Sequence, residues 1–176
     1  MASSTNKKVH VQRFDRDPLL GFVSLPAGLT AEGVELLTQA GTAVRVPWTD
    51  IKAVHFVKDF EPERIAPERK MFIARPKTAG LWVRLIFRDN DLLEGILPND
   101  LLQLEPWGFA VMPPDLSGNS QRLFVPRQAL RELTVLGVVG SPLRSRPIPR
   151  KKPAAAAADQ PGLFDALPPD RKAGGE

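Results

Sequence analysis

The sequence predicts an all-β protein built from two tandem five-stranded units, residues 7–60 and 78–140, joined by a connector at 61–77 and followed by a disordered tail at 141–176. Three observations predict it. Short stretches alternate apolar with polar residues at the two-residue period of a strand, and Gly, Pro and Asp interrupt them. The succession of stretches in the first half returns in the second. Beyond residue 140 the composition changes to one that cannot build a core.

The strands follow in order. Val9, Val11 and Arg13 alternate with His10, Gln12 and Phe14, and Leu20–Ser24, Val34–Thr38, Ala43–Val46 and Ala53–Val57 come next. From Leu81 the pattern restarts as WVRLIFRDND, LLEGIL, FAVM, RLFVP and LRELTVL. VPWTDIKAVHFV (46–57) aligns without a gap on VPRQALRELTVL (125–136), which matches Ile51 to Leu130, Val54 to Leu133 and Phe56 to Val135. Pro47 and Pro126 suit a tight turn because their fixed φ costs little there. The turn Phe14–Asp17 with Leu20 and Gly21 corresponds to Phe87–Asp91 with Leu93, Glu94 and Gly95. The second copy has a longer loop, Pro113–Gln121. Two units of this size are each marginal alone, so they are expected to share an interface, with Met71, Phe72 and Ile73 of the connector packed across the seam.

Composition narrows the function classes. The chain of 176 residues has no Cys, which removes disulfides, thiolate metal sites and thiol nucleophiles. No apolar run approaches the roughly 20 residues of a membrane span, and the start MASSTNKK lacks a signal-peptide stretch, so a cytoplasmic location is expected. The net charge of +4 is unevenly distributed: residues 1–140 hold 17 Lys/Arg against 16 Asp/Glu, and residues 141–176 hold 7 against 4. The excess sits in Arg144, Arg146, Arg150, Lys151 and Lys152, within a proline-rich stretch that reads as a basic tether and as a candidate for nonspecific, salt-sensitive attraction to nucleic acid.

Five short strands with a one-turn link between the last two resemble the SH3-like and Sm-like small barrels, over residues 7–57 and 80–137. The chain also resembles bacterial tandem-repeat proteins of unknown function that carry segments like Lys52–Phe60 and Asn119–Pro126. The barrel resemblance implies nucleic-acid binding as an alternative function. Single-stranded RNA needs aromatic faces beside cations, and Arg45, Trp48, Lys52, Arg127 and Arg131 are the nearest candidates. Asp50 lies inside the first turn, the second copy has no aromatic at the Trp48 position, and the tyrosine-lysine-histidine signature of bacterial Sm-like RNA chaperones is missing. The structural reading places Trp48 over one end of a barrel, with solvated arginines.

No cofactor or metal is expected. His10 and His55 with scattered carboxylates offer no converging ligand set. Asp89-Asn90-Asp91 lacks the ligand alternation of a calcium loop and reads as a hairpin turn. Ser117–Ser120 precedes no helix, so it reads as a loop tip rather than a phosphate loop. An enzyme is the least favoured class, because no nucleophile–base pair is visible; a pocket holding both His or several carboxylates would reopen it.

The tail carries the most specific pattern. Leu163-Phe164 is its one adjacent bulky apolar pair, and Gln160-Pro161-Gly162-Leu163-Phe164 resembles the clamp-binding peptide of bacterial replication and repair proteins. That resemblance implies that Gln160 hydrogen-bonds at the rim of a groove while Leu163 and Phe164 enter apolar pockets, with Pro161 in place of the commoner Leu. The expected protein is a non-catalytic adaptor that docks a protein partner, the sliding clamp favoured, in replication or repair; a contact with another protein and an idle peptide remain open, as does the oligomeric state.

Overall fold

The computed structural model describes residues 5–60, 69–100, 102, 104–115 and 118–140. They all belong to a compact unit, Met1–Pro142; the remainder, Leu143–Glu176, lies outside the described residues. The tail expectations therefore fall outside them, including Gln160, Pro161, Gly162, Leu163 and Phe164 and the basic set Arg144, Arg146, Arg150, Lys151 and Lys152.

The protein is all-β. The first half supplies β1 (Thr5–Arg13), β2 (Leu19–Leu25), β3 (Gly33–Thr38), β4 (Ala43–Pro47) and β5 (Ile51–Val57). The second supplies β6 (Gly80–Phe87), β7 (Leu92–Leu97), β8 (Gly108–Val111), β9 (Ser120–Pro126) and β10 (Leu130–Val139). A 3₁₀ turn, Arg127–Ala129, joins β9 to β10, as the Val-Pro pattern leads one to expect. Asn90 takes φ 65° in the hairpin between β6 and β7, a conformation Asn tolerates better than most residues.

The strands form a seven-stranded sheet in the order β4-β3-β2-β1-β5-β9-β8 and a three-stranded sheet in the order β10-β6-β7. Both halves use the same neighbours: the fifth strand beside the first, the first beside the second, the third beside the fourth. In the first half a ladder joins the second and third strands (Gly21↔Thr38, Phe22↔Leu37), whereas in the second the bridge Ile96↔Met112 joins β7 to β8. Neither sheet closes into a barrel, so the expected pair of closed five-stranded barrels is not what the ladders draw. The physical reason is β9. It pairs antiparallel with β5 over Val54↔Phe124, His55↔Leu123 and Phe56↔Arg122, which commits it, with β8, to the sheet of the first half.

That ladder is a wall between two cores. Val54 and Phe124 enter the first core with Val9, Val11, Val34, Leu36, Trp48 and Ile51. Ala53, Leu123 and Val125 enter the second with Val83, Leu85, Phe87, Leu97 and Phe109. Consecutive residues thus face opposite cores, and Ile51–Val54 and Leu123–Pro126 are buried without interruption, as in strands covered on both faces. The expected shared interface exists, but the connector does not build it as expected. Ile73 is 82 % exposed and Met71 49 %, and Phe72 packs edge-on against Trp82 of the second half.

Each second strand carries a glycine where the third strand passes close. A Cβ on Gly21 would lie 2.3 Å from the Leu37 carbonyl oxygen, and one on Gly95 would lie 2.2 Å from Val111 Cγ1 and 3.0 Å from the Met112 oxygen. Backbone cannot yield as a side chain does, so Gly21→Ala is expected to cost about 2–3 kcal/mol of unfolding free energy. Gly137→Ala, where a Cβ meets nothing within 4 Å, is expected to stay within about 0.5 kcal/mol. Urea titration of both variants checks the contrast.

Candidate functional site

Behind the β5–β9 wall, the seam between the halves holds the densest polar chemistry among the described residues. Lys52, on β5, is 7 % exposed. Its ammonium donates to Asp89 Oδ2 at 2.6 Å and Asp91 Oδ2 at 2.9 Å, both from the β6–β7 turn, and lies 5.1 Å from the Phe87 ring centroid. Lys70 donates to both oxygens of Asp91, at 2.7 and 2.8 Å. Arg88 stacks 3.9 Å from the Phe14 centroid and donates to the Thr49 carbonyl at 2.6 Å. The Asp-Asn-Asp turn is thus a receptor for two lysines.

This arrangement sets the charge states. Burial alone would push the Asp91 carboxyl up, but hydrogen bonds from Lys52 and Lys70 outweigh it and hold it at about 2. Burial likewise opposes the charge on Asp89, and the Lys52 hydrogen bond, the Asp91 amide and the Lys52 charge together outweigh it and lower that carboxyl. For Lys52, burial pulls the ammonium down and the two aspartates more than restore it, leaving a raised value.

Next to this cluster is a cavity of about 230 Å³ whose lining includes His10, Gln12, His55, Ser120, Arg69 and Lys70. His10 and His55 are direct cross-strand partners on β1 and β5, with ring centroids 5.5 Å apart. His55 Nδ1 lies 3.0 Å from Ser120 Oγ, and Nε2 lies 3.3 Å from Gln12 Oε1. With the Gln12 amide in this orientation its oxygen accepts, so Nε2 carries the proton and Nδ1 accepts from the Ser120 hydroxyl. Both histidines therefore line one pocket, the condition set for reopening catalysis, and the pair Ser120–His55 is the contact that activates a serine nucleophile. Two features weigh against that use. Ser120 is 2 % exposed, and an amide oxygen rather than a carboxylate stands behind His55, which stabilises an imidazolium far less. The arrangement satisfies buried polar groups across the wall.

Residues 5–137 match a family of unknown function, DUF6982. The chain belongs to that family. No curated protein and no solved structure matches it. The DUF6982 region covers both halves and all the seam chemistry, and it ends before the basic tether and the tail peptide. Among its described residues no helix is long and apolar enough to cross a membrane, and no group of three or more His, Asp or Glu is placed to hold a metal ion.

Each residue of the DUF6982 region considered for nucleic acid is engaged within the fold. Trp48 is 2 % exposed; its Nε1 donates to the Thr30 carbonyl at 3.0 Å and its ring packs 5.1 Å from Phe124. Lys52 is the seam cation described above. Arg45 pairs with Glu35 and, at 3.1 Å, with Glu32. Arg127 lies 4.6 Å from the Phe109 centroid and donates to the Pro106 carbonyl. Arg131 donates to Asn90 Oδ1. From the sequence Ser120 reads as part of a loop tip and Glu94 as a position in the repeated hairpin, and neither reads as buried polar chemistry. Glu94 is 2 % exposed and accepts from Arg84, from Trp82 Nε1 and from the Phe72 amide. Its alternation with Arg84 across β6 and β7, a direct cross-strand pair, was the available signal.

Lys52→Met keeps the apolar stem but removes the cation between Asp89 and Asp91, leaving Asp91 to Lys70 alone and Asp89 without a lysine. It is expected to destabilise the protein by about 2 kcal/mol, less than a fully buried pair because both carboxylates reach solvent. The depressed Asp91 carboxyl contributes stability that is complete above its unfolded value of about 3.9 and is lost as pH falls towards about 2. Asp91→Asn is expected to lower the melting temperature at pH 7 and to flatten its decline between about pH 4 and pH 2; melts across that window check both effects.

Proposed function

We propose that this chain is a non-catalytic binding adaptor: two copies of a small SH3/Sm-like unit fused into one scaffold, carrying a C-terminal peptide that docks a protein partner in the cytoplasm. The favoured partner is a bacterial sliding clamp, met through Gln160, Leu163 and Phe164, which places the protein in replication or repair. One observation carries the reading. Of the five scaffold side chains named for nucleic acid, Trp48 and Lys52 are buried, and the exposed Arg45, Arg127 and Arg131 each make a contact within the fold, which favours the tail as the place of specific recognition. The equivalent placement of Gly21 and Gly95, and of Gly33 and Gly108 opposite Pro47 and Pro126, supports descent of both halves from one unit.

Burial of one Leu and one Phe gives about 1.5–3 kcal/mol each before ordering costs, which fits a dissociation constant on the order of micromolar. A labelled peptide spanning Asp159–Leu167 is expected to bind purified clamp at that level by fluorescence anisotropy, and the double change Leu163→Ala, Phe164→Ala is expected to abolish binding. Equal binding by the altered peptide sinks the reading. Salt-sensitive RNA binding by a chain ending at Gly140 would instead favour the nucleic-acid alternative, and binding by the tailed form alone counts against it.

A further inference from the structure

The β5–β9 ladder is more than a wall, because it joins non-equivalent strands of equivalent units. β5 is the fifth strand of the first half, and β9 is the fourth strand of the second. The same two strand types reappear at the outer edges of the two sheets: β4, a fourth strand, pairs with β3 alone, and β10, a fifth strand, pairs with β6 alone. Among the described residues, each therefore has one edge of backbone donors and acceptors without a strand beside it. β10 is ten residues long; its register shifts beside Glu132 and Gly137 and Arg75 holds its Val138 carbonyl, which leaves Glu132–Val135 as the regular stretch that can act as a template for another strand.

We propose that the protein associates with a second copy of itself head to tail, β10 of one chain pairing antiparallel with β4 of the next. The internal ladder supplies the register. The gapless match of 46–57 with 125–136, extended upstream along β4 and β9 at the same offset, carries Val54↔Phe124 into Leu133↔Arg45 and Phe56↔Arg122 into Val135↔Ala43. The proposal rests on the equivalence of the two β-units and is independent of the tail peptide.

Two features of the surface favour this occupant. In the first half, Phe124 and Trp107 from the second half pack against the core beside β5. In the second half the matching place beside β10 is an open groove of about 390 Å³, lined by Leu81, Leu97, Leu133 and Val135 and by the charged Arg131 and Glu132. Val135 and Val138 are each 51 % exposed at this edge, and Leu37, the cross-strand neighbour of Ala43, is 44 % exposed. The proposed register puts Val135, Ala43 and Leu37 in one cross-strand row, so two of the large exposed apolar side chains flank Ala43 on one face of the joined sheet. Arg45 stands where the internal interface has Phe124, already held by Glu32 and Glu35. Its stem covers apolar surface while its charge stays paired at the rim, which makes this contact weaker than the internal one and reversible. Such an interface is heterologous, so it builds a closed ring or an open chain rather than a two-fold dimer.

The test uses full-length protein, whose sequence has no Cys. Directly paired antiparallel residues lie within the Cα separation a disulfide spans. Val135→Cys and Ala43→Cys chains are mixed under mild oxidation. A cross-linked dimer is expected from the mixture and not from either chain alone, and the doubly substituted chain is expected to give a ladder of trimers and above. Thr134→Cys, pointing to the opposite face, is expected to cross-link to Ala43→Cys at least about tenfold more slowly. Sedimentation of the natural chain is expected to show concentration-dependent association, weakened about tenfold or more by Val135→Lys without loss of the folded baseline. Efficient cross-linking of Val135→Cys with itself, which would mean two-fold β10 pairing, overturns the proposal, as does a monomer at every concentration with no cross-link in the mixture.

Discussion

The β5–β9 ladder is the constraint on which the rest of this molecule depends. Its strands are buried on both faces, and because side chains alternate, residues next to each other in sequence serve different cores: Val54 the first, Ala53 the second; Phe124 the first, Leu123 and Val125 the second. Removing the second half would strip Phe124 and Trp107 from the first core, and removing the first would strip Ala53 and Phe14 from the second. Units of about 55–60 residues bury too little apolar surface to stand comfortably alone. Sharing a wall lets each use surface from the other, and it makes the two halves one cooperative body instead of two beads.

A wall of hydrogen bonds and apolar residues can slip, and the lysine–aspartate cluster works against slippage. Lys52 projects from β5 into the turn of β6 and β7, where a displacement by one residue would leave a largely buried ammonium without its carboxylates. The cost of stranding a desolvated charge greatly exceeds the net gain of forming the pair, so such a contact discriminates between arrangements more than it stabilises any one. Phe14 and Phe87 add ring faces to the same cation, at 6.0 and 5.1 Å, and Arg88 covers Phe14 from the second half. Glu94 performs the corresponding task within the second half, collecting Arg84, Trp82 and the Phe72 amide around one buried carboxylate.

The sequence was informative wherever structure follows from neighbours along the chain. The ten strands show as short alternating or continuously apolar stretches between Gly, Pro and Asp, and the turns show in Pro47, Pro126 and Asp89–Asp91. Information about which strand lies beside which is not local. Nothing in RLFVP says that β9 leaves its own half to pair with β5, so closed barrels were the natural expectation. The same non-locality hid the site. His10, Gln12 and His55 alternate with valines and so look like a solvent face, yet the second half covers that face and makes it a cavity wall. The Asp-Asn-Asp turn was readable as a turn, but its partner Lys52 lies 37 positions from Asp89. Met71 and Ile73 mislead in the opposite sense: they are apolar enough for an interior, but short connectors between halves already locked by β5 and β9 need not supply core.

Charge shows what remains for recognition. Residues 1–140 are almost balanced, 17 cations against 16 anions, and the contacts of Lys52, Lys70, Arg45 and Arg84 show where much of that balance goes: each is paired with a carboxylate inside its own fold. A surface that neutralises itself locally projects little field, so it attracts a polyanion weakly whatever its formal charge. What the described residues still offer is geometry: strand edges on β4 and β10 with no strand beside them, and a largely apolar groove, which select for backbone and shape more than for charge. If the edges are occupied by further copies, every added chain brings another tail, and a peptide that binds weakly by itself gains by being presented several times on one assembly. The proposed weak docking of the tail and the proposed repetition of the scaffold are then parts of one physical arrangement: modest affinity at each peptide, raised by the number of peptides the β-edges hold together.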